Sequence, residues 1–134
     1  MATKKEIYIA GRRIGLGTGV KGSPEVKRST TQTFDGAKSS GVGNIPHSLE
    51  ISKLQTDDFE EYMSLIQLMD TMLTEKKTIT IAETIVNENG EQFTIYRHYL
   101  GCLVDGNEYE MNAEDMTAET LKFMAESMKP EGEQ

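Results

Sequence analysis

The fold is decided by the segment His47–Val104, which reads HSLEISKLQTDDFEEYMSLIQLMDTMLTEKKTITIAETIVNENGEQFTIYRHYLGCLV. Apolar and polar residues alternate over residues 47–54, as they do in a strand with one buried face. Over residues 57–76 the apolar residues recur every three or four positions, which predicts a helix. Alternation returns over residues 77–104 and is interrupted at Asn89-Gly90, a strong hairpin signal. The order of strand, helix and hairpin predicts a small α+β domain that is mainly β.

The predicted helix, at about residues 57–75, has more apolar positions than one packed face requires. Asp57 and Glu60 resemble a capping box at its start. One apolar stripe contains Phe59, Tyr62, Met63, Ile66, Met69 and Leu73, and a second set widens it with Leu65, Leu68 and Met72. Methionine in such a stripe is usually core filler. The width of the stripe nevertheless favours a helix that is covered on two sides, partly by another subunit.

The segment before residue 47 contains two strands, a glycine run and a long polar stretch. Residues 6–10 and 12–16 are predicted to form a hairpin. The glycines of residues 15–22 are interpreted as a flexible turn, because the following residues cannot open the helix that a dinucleotide site needs. Residues 25–34 are rich in threonine and polar on both faces, so they predict an edge strand. Residues 35–44 predict a long loop that is either functional or disordered.

The C-terminal segment is ambiguous. Residues 109–128 suit either a helix or a strand with Leu121, Phe123 and Ala125 on one face, and intrinsic propensity slightly favours the helix. Residues 129–134 are predicted to be a disordered tail, which leaves a single domain over residues 1–128.

Composition and spacing exclude several functions. The chain has 134 residues and a net charge of −8, which argues against a protein that binds nucleic acid by neutralising phosphates. The same charge is compatible with a surface along which DNA passes without binding, because like charges repel. His98 and Cys102 are about 13 Å apart along a strand, so they cannot form a catalytic pair. His47 has no ligand partners at metal spacing, and a calcium loop from Asp105 would place Met116 where glutamate is required. We therefore predict no enzyme activity, no cofactor and no metal.

The compartment follows from the same composition. A single cysteine fits a reducing environment. The basic start of the chain is not followed by the apolar stretch of a signal peptide, and no apolar run is long enough to span a membrane. We expect synthesis in the cytoplasm and no membrane binding.

Taken in order, these elements resemble the tail-tube proteins of bacteriophages and the wider superfamily that includes type VI secretion tubes. The matching features are spread over most of the chain. They are a first strand ending in Gly11-Arg12-Arg13, the strand Leu49–Leu54, the helix start Asp57-Asp58-Phe59, the hairpin strand ending Tyr99–Leu103, and the closing segment Glu119–Ser127.

The resemblance implies an antiparallel β-sandwich or rolled barrel flanked by one helix, with an extended polar strand and loop over residues 24–45. It implies hexameric rings that stack into a hollow tube in the virion tail, through which genomic DNA passes without sequence-specific binding. Sheath, baseplate and terminator proteins would be the other partners. The expected inter-subunit contacts are Val26, Arg28, Thr30, Phe34, Lys38, Val42, Ile45, Phe59, Tyr62, Ile66 and Met69.

Two other interpretations stay open. The resemblance is also compatible with another tail component of the same fold, such as a terminator or baseplate protein, because fold does not fix function. The chain is also compatible with a small monomeric binding module that uses residues 35–44 and the glycine run as ligand loops. The sequence does not decide between a contractile and a non-contractile tail, and it does not identify the host or the residues that line the bore.

Overall fold

The computed structural model describes residues 2–25, 45–105 and 110–133, and these residues form eight strands and one helix. In chain order the elements are β1 (Ala2–Ile9), β2 (Arg12–Pro24), β3 (His47–Gln55), α1 (Phe59–Thr71), β4 (Lys77–Val86), β5 (Gln92–Val104), β6 (Glu110–Asn112), β7 (Thr117–Ala125) and β8 (Ser127–Glu133).

The strands form a closed antiparallel barrel. Six of them follow the order β7-β3-β2-β1-β4-β5, and the pairing of Leu103 with Met124 joins β5 back to β7. The three-residue β6 is added beside β7, and β8 is added beside β5. The mainly β fold with one flanking helix is therefore confirmed, in its barrel form.

The interior of the barrel is filled by the inward side of each strand. The fully buried side chains alternate along the strands, and they include Ile7 and Ile9 on β1, Leu49 and Ile51 on β3, Ile79 and Ile81 on β4, and Leu121 and Phe123 on β7. Leu65, Met69 and Met72 of α1 belong to the same buried cluster. The helix packs at the end of the barrel where β1 turns into β2, and the Met72 carbonyl accepts a hydrogen bond of 2.9 Å from the Val104 amide.

The helix is shorter than predicted, and its N-cap residue lies one position after the predicted one. Asp58 is the N-cap residue, and its Oδ1 accepts a hydrogen bond of 2.8 Å from the Glu61 amide. The Glu61 carboxylate reaches back to accept from the Asp57 amide at 2.8 Å. The capping side chain is thus Asp58, and the Glu61 carboxylate bonds the residue before it, so the predicted pair of Asp57 with Glu60 is wrong.

The glycine run is part of a strand, so its interpretation as a turn is wrong. It lies in β2, which pairs with β3 from Leu16–Gln55 to Pro24–His47. The glycines provide room inside the barrel wall. A Cβ atom at Gly15 would lie 2.3 Å from the Gln55 carbonyl oxygen, and one at Gly22 would lie 2.2 Å from the Tyr99 hydroxyl oxygen.

The C-terminal segment also differs from the prediction. Residues 117–125 form β7 instead of the helix that propensity favours, because the strand buries Leu121, Phe123 and Ala125 in the barrel. Residues 127–133 form β8, which pairs with β5 along its length, in place of the predicted disordered tail.

Candidate assembly surfaces

The helix divides its apolar residues between two faces. Tyr62 is 5% exposed and Met69 is fully buried, so both pack inside this chain and are unavailable as the subunit contacts that the sequence predicted. Phe59, by contrast, is 66% exposed, and Met63 and Ile66 are half-buried. These three residues are four and three positions apart, so they lie in one line along the helix. We call Phe59, Met63 and Ile66 the flank stripe.

The remaining predicted contacts lie in or near the connection between β2 and β3. Ile45 is 45% exposed at the end of that connection. The other predicted contact residues lie outside the described part of the chain, namely Val26, Arg28, Thr30, Phe34, Lys38 and Val42. The predicted polar strand of residues 25–34 and loop of residues 35–44 lie there too, apart from Glu25.

Both ends of this connection are fixed. Pro24 pairs with His47, and the Glu25 amide donates a hydrogen bond of 2.8 Å to the Pro46 carbonyl. The chain therefore leaves and re-enters the barrel at neighbouring positions of an antiparallel pair. Such a pair needs only two to five connecting residues, so residues 25–46 are many more than closure of the hairpin requires. We call residues 25–46 the long connection.

Ion pairs attach the start of the helix to the barrel. The Arg13 guanidinium on β2 lies 2.9 Å from Glu6 on β1, 2.9 Å from Asp57 and 3.0 Å from Glu61 on the helix. The hydrogen bond to Glu6 is the main cause that raises the Arg13 pKa, and the negative charges of Asp57 and Glu61 add to it against the opposing effect of burial. The network joins the first turn of the helix, which carries Phe59, to β1 and β2.

Two strands have one unpaired edge within the described residues, because β6 and β8 are the outer members of the strand order. Lys129, Pro130 and Glu131 lie along β8 and are exposed. Charged residues and proline discourage uncontrolled pairing at a strand edge. His98 of β5 connects to this strand through its Nε2, which lies 3.2 Å from Glu131.

The histidines and the cysteine of the chain are hydrogen-bonded to neighbouring groups. The described residues contain no group of three or more His, Cys, Asp and Glu side chains placed to hold a metal ion. The Cys102 thiol donates to the Tyr99 carbonyl at 3.1 Å, and burial raises its pKa to about 12, so the nucleophilic thiolate is suppressed. His98 is engaged by Thr80 Oγ1 at 2.9 Å. Within the same part of the chain, no helix is long and apolar enough to cross a membrane.

Sequence reasoning missed the Arg13 network, which joins residues that are up to 48 positions apart. The basic Gly-Arg-Arg segment was visible, but no local spacing indicates which carboxylates would surround it. It also missed Met124, which is 36% exposed on the outer side of β7.

Among the comparisons with known proteins, the search of solved structures found a similar protein. No protein-family model matches the sequence, and no curated protein matches it. A crystal structure of an Hcp protein is similar, with 15% sequence identity, a TM-score of 0.42, and coverage of 96% of this chain and 97% of that chain. Similarity at this level does not assign a function.

Proposed function

We propose that this protein is a structural subunit of a phage tail tube, in which six copies form a ring and the rings stack into a hollow tube. The observation that carries the proposal is the flank stripe. Phe59 exposes two-thirds of its surface on a helix whose other face already fills the barrel core. Apolar residues in a line on a rigid element are typical of a surface that another protein covers.

The long connection supports the same proposal. It starts and ends at one point of the barrel, between Pro24 and His47. A segment of this length, anchored at both ends, is suited to contact a neighbouring subunit of the same ring or of the next ring. Closed rings arise from repeated head-to-tail contacts when the rotation between copies permits closure.

The net charge of −8 is consistent with passage of DNA through the tube. A surface with excess carboxylates repels the phosphate backbone and does not retain it. Sheath, baseplate and terminator proteins would contact the assembled tube in the virion tail, after synthesis of the subunit in the bacterial cytoplasm.

The test compares two variants that introduce the same charge on the helix. Phe59→Asp places a carboxylate in the flank stripe, at the first helical position, where a negative charge is tolerated. Gln67→Asp places the same charge at an exposed position outside the stripe. Both proteins should fold, because neither replaced side chain is buried.

Negative-stain microscopy and sedimentation velocity give the readout. We expect rings or tubes from the wild type and from Gln67→Asp, and monomers from Phe59→Asp. A wild-type protein that stays monomeric at high concentration refutes the proposal. Tubes of normal length from Phe59→Asp would show that the flank stripe is not a subunit contact.

A further inference from the structure

The barrel has a cavity at the end opposite the helix. Its volume is about 410 Å³, within the range of pockets that hold small molecules. It lies where Lys5 pairs with Glu83 and Pro24 pairs with His47, whereas α1 begins beyond the other end of β3, at Gln55. The cavity is therefore distinct from the flank stripe.

The alternation of the strands determines what lines this cavity. On β1 the inward-facing residues are the buried Ile9 and Ile7, followed by Lys5. On β4 they are the buried Ile79 and Ile81, followed by Glu83. The apolar core thus ends at a level of the barrel where the inward-facing residues, Lys5 and Glu83, are charged. Val20, Ile81 and Met128 form an apolar part of the lining, and Lys5, Arg97 and His47 form a polar part.

The charges at this level are not balanced. The Arg97 Nη1 donates to the Glu83 carboxylate at 3.0 Å, which pairs the carboxylate of the lining with one cation. Lys5 is partly buried, and it forms no ion pair or side-chain hydrogen bond with residues 2–25, 45–105 or 110–133. One positive charge is therefore in excess at the cavity of a strongly acidic protein. A cationic side chain that lines a cavity favours an anion that supplies hydrogen-bond acceptors.

We propose that this cavity binds a small organic anion with a carboxylate head and a short aliphatic chain. Lys5 and the Arg97 guanidinium hold the carboxylate, and the aliphatic chain packs on Val20, Ile81 and Met128. The apolar lining is the reason for a chain, since a bare anion would leave that surface wet. The inference goes beyond the tube function and does not rest on it.

The probe is hexanoate, titrated into the purified full-length protein and followed by isothermal calorimetry and by chemical shifts of the protein amides. Hexanamide has the same chain without the charge, and acetate has the charge without the chain. We expect saturable binding of hexanoate, with both comparison compounds at least tenfold weaker. Equal binding of hexanamide or of acetate, or no saturable binding of hexanoate up to about 10 mM, which corresponds to roughly −2.7 kcal/mol, would overturn the proposal.

A matched pair of variants locates the site. Lys5→Met removes the cation from the cavity, and Lys4→Met makes the same change on the exposed neighbouring residue of β1. We expect Lys5→Met to weaken hexanoate binding at least tenfold and Lys4→Met to change it less than twofold. Equal losses in the two variants would mean that general charge attraction explains the binding.

Val20→Phe provides a test that does not depend on removing a charge. It fills the apolar part of the cavity and should abolish hexanoate binding while circular dichroism shows the fold retained. Hexanoate binding that survives in a folded Val20→Phe protein would exclude the cavity as the site. Microscopy of the same samples reports assembly separately, so loss of ligand binding and loss of tubes are distinguishable.

Discussion

Arg13→Met is expected to destabilise the fold, because this arginine connects three elements through three carboxylates. The substitution keeps the aliphatic stem and removes the bonds to Glu6, Asp57 and Glu61, each 2.9–3.0 Å long. The Arg13 side chain is 26% exposed, and those of Glu6 and Glu61 are 23% and 19% exposed. Asp57 is 57% exposed and should add little. Two partly buried charge-assisted bonds at about 1 kcal/mol each predict a loss of about 2 kcal/mol in the free energy of unfolding.

The assay is equilibrium unfolding in urea, at a concentration where light scattering shows the same assembly state for both proteins. For a chain of this size the loss corresponds to a decrease of about 5 to 10 °C in Tm. Arg97→Met is the matched control, since Arg97 makes one such bond, to Glu83, and its side chain is 38% exposed. That variant should lose less than about 1 kcal/mol. A loss below about 0.5 kcal/mol in Arg13→Met would refute the view that this network fixes the helix to the barrel.

Three further variants test other features of the chain. Ala10→Asn should raise the free energy of unfolding in urea by about 0.5 to 1 kcal/mol. The reason is that Ala10 has a φ of +54° in the β1–β2 turn, where asparagine is better tolerated. An unchanged free energy of unfolding would mean that the turn is unstrained. Cys102 should resist thiol reagents in the native protein at pH 8, and the free energy of unfolding should fall as pH rises from about 8.5 toward 12, because the unfolded thiol releases its proton first. Cys102→Ala should flatten that slope, and rapid labelling of the native thiol would contradict its burial. Deletion of residues 38–43 should leave a folded monomer and abolish tubes in negative stain, whereas tubes of normal length would exclude a role of the long connection in assembly.

The sequence predicted correctly those strands in which every second side chain is apolar and is buried in the barrel. The strands β3 and β4 alternate over their central residues, and the structure places Leu49, Ile51, Ile79 and Ile81 on the inward side as alternation requires. Closure of the barrel was not predictable in the same way. It depends on the pairing of Leu103 with Met124, and no feature of either segment specifies the other.

The segment of β7 shows how tertiary burial overrides propensity. Its Glu, Lys, Met and Leu residues favour a helix in isolation. In a barrel, however, the period-two arrangement of Leu121, Phe123 and Ala125 buries all three side chains, and Lys122 and Glu126 remain in solvent. A helix would place Leu121 and Ala125 on one face but Phe123 on the opposite face, so the burial of all three side chains in the strand outweighs a propensity difference of a few tenths of a kcal/mol per residue.

The helix was predicted correctly from its sequence pattern, but the pattern did not indicate which of its faces would pack against the barrel. The nine apolar positions predicted a helix that is covered on two sides, and the chain itself covers one of them. Tyr62, Leu65 and Met69 face the barrel, and the flank stripe remains outside. Burial of Leu65 and Met69 in the core determines which face turns inward, and the bond from Arg13 to Glu61 ties the first helical turn to β2 in this orientation. Loss of that network should therefore weaken assembly as well as stability, because the flank stripe would no longer be presented at a constant angle to the barrel.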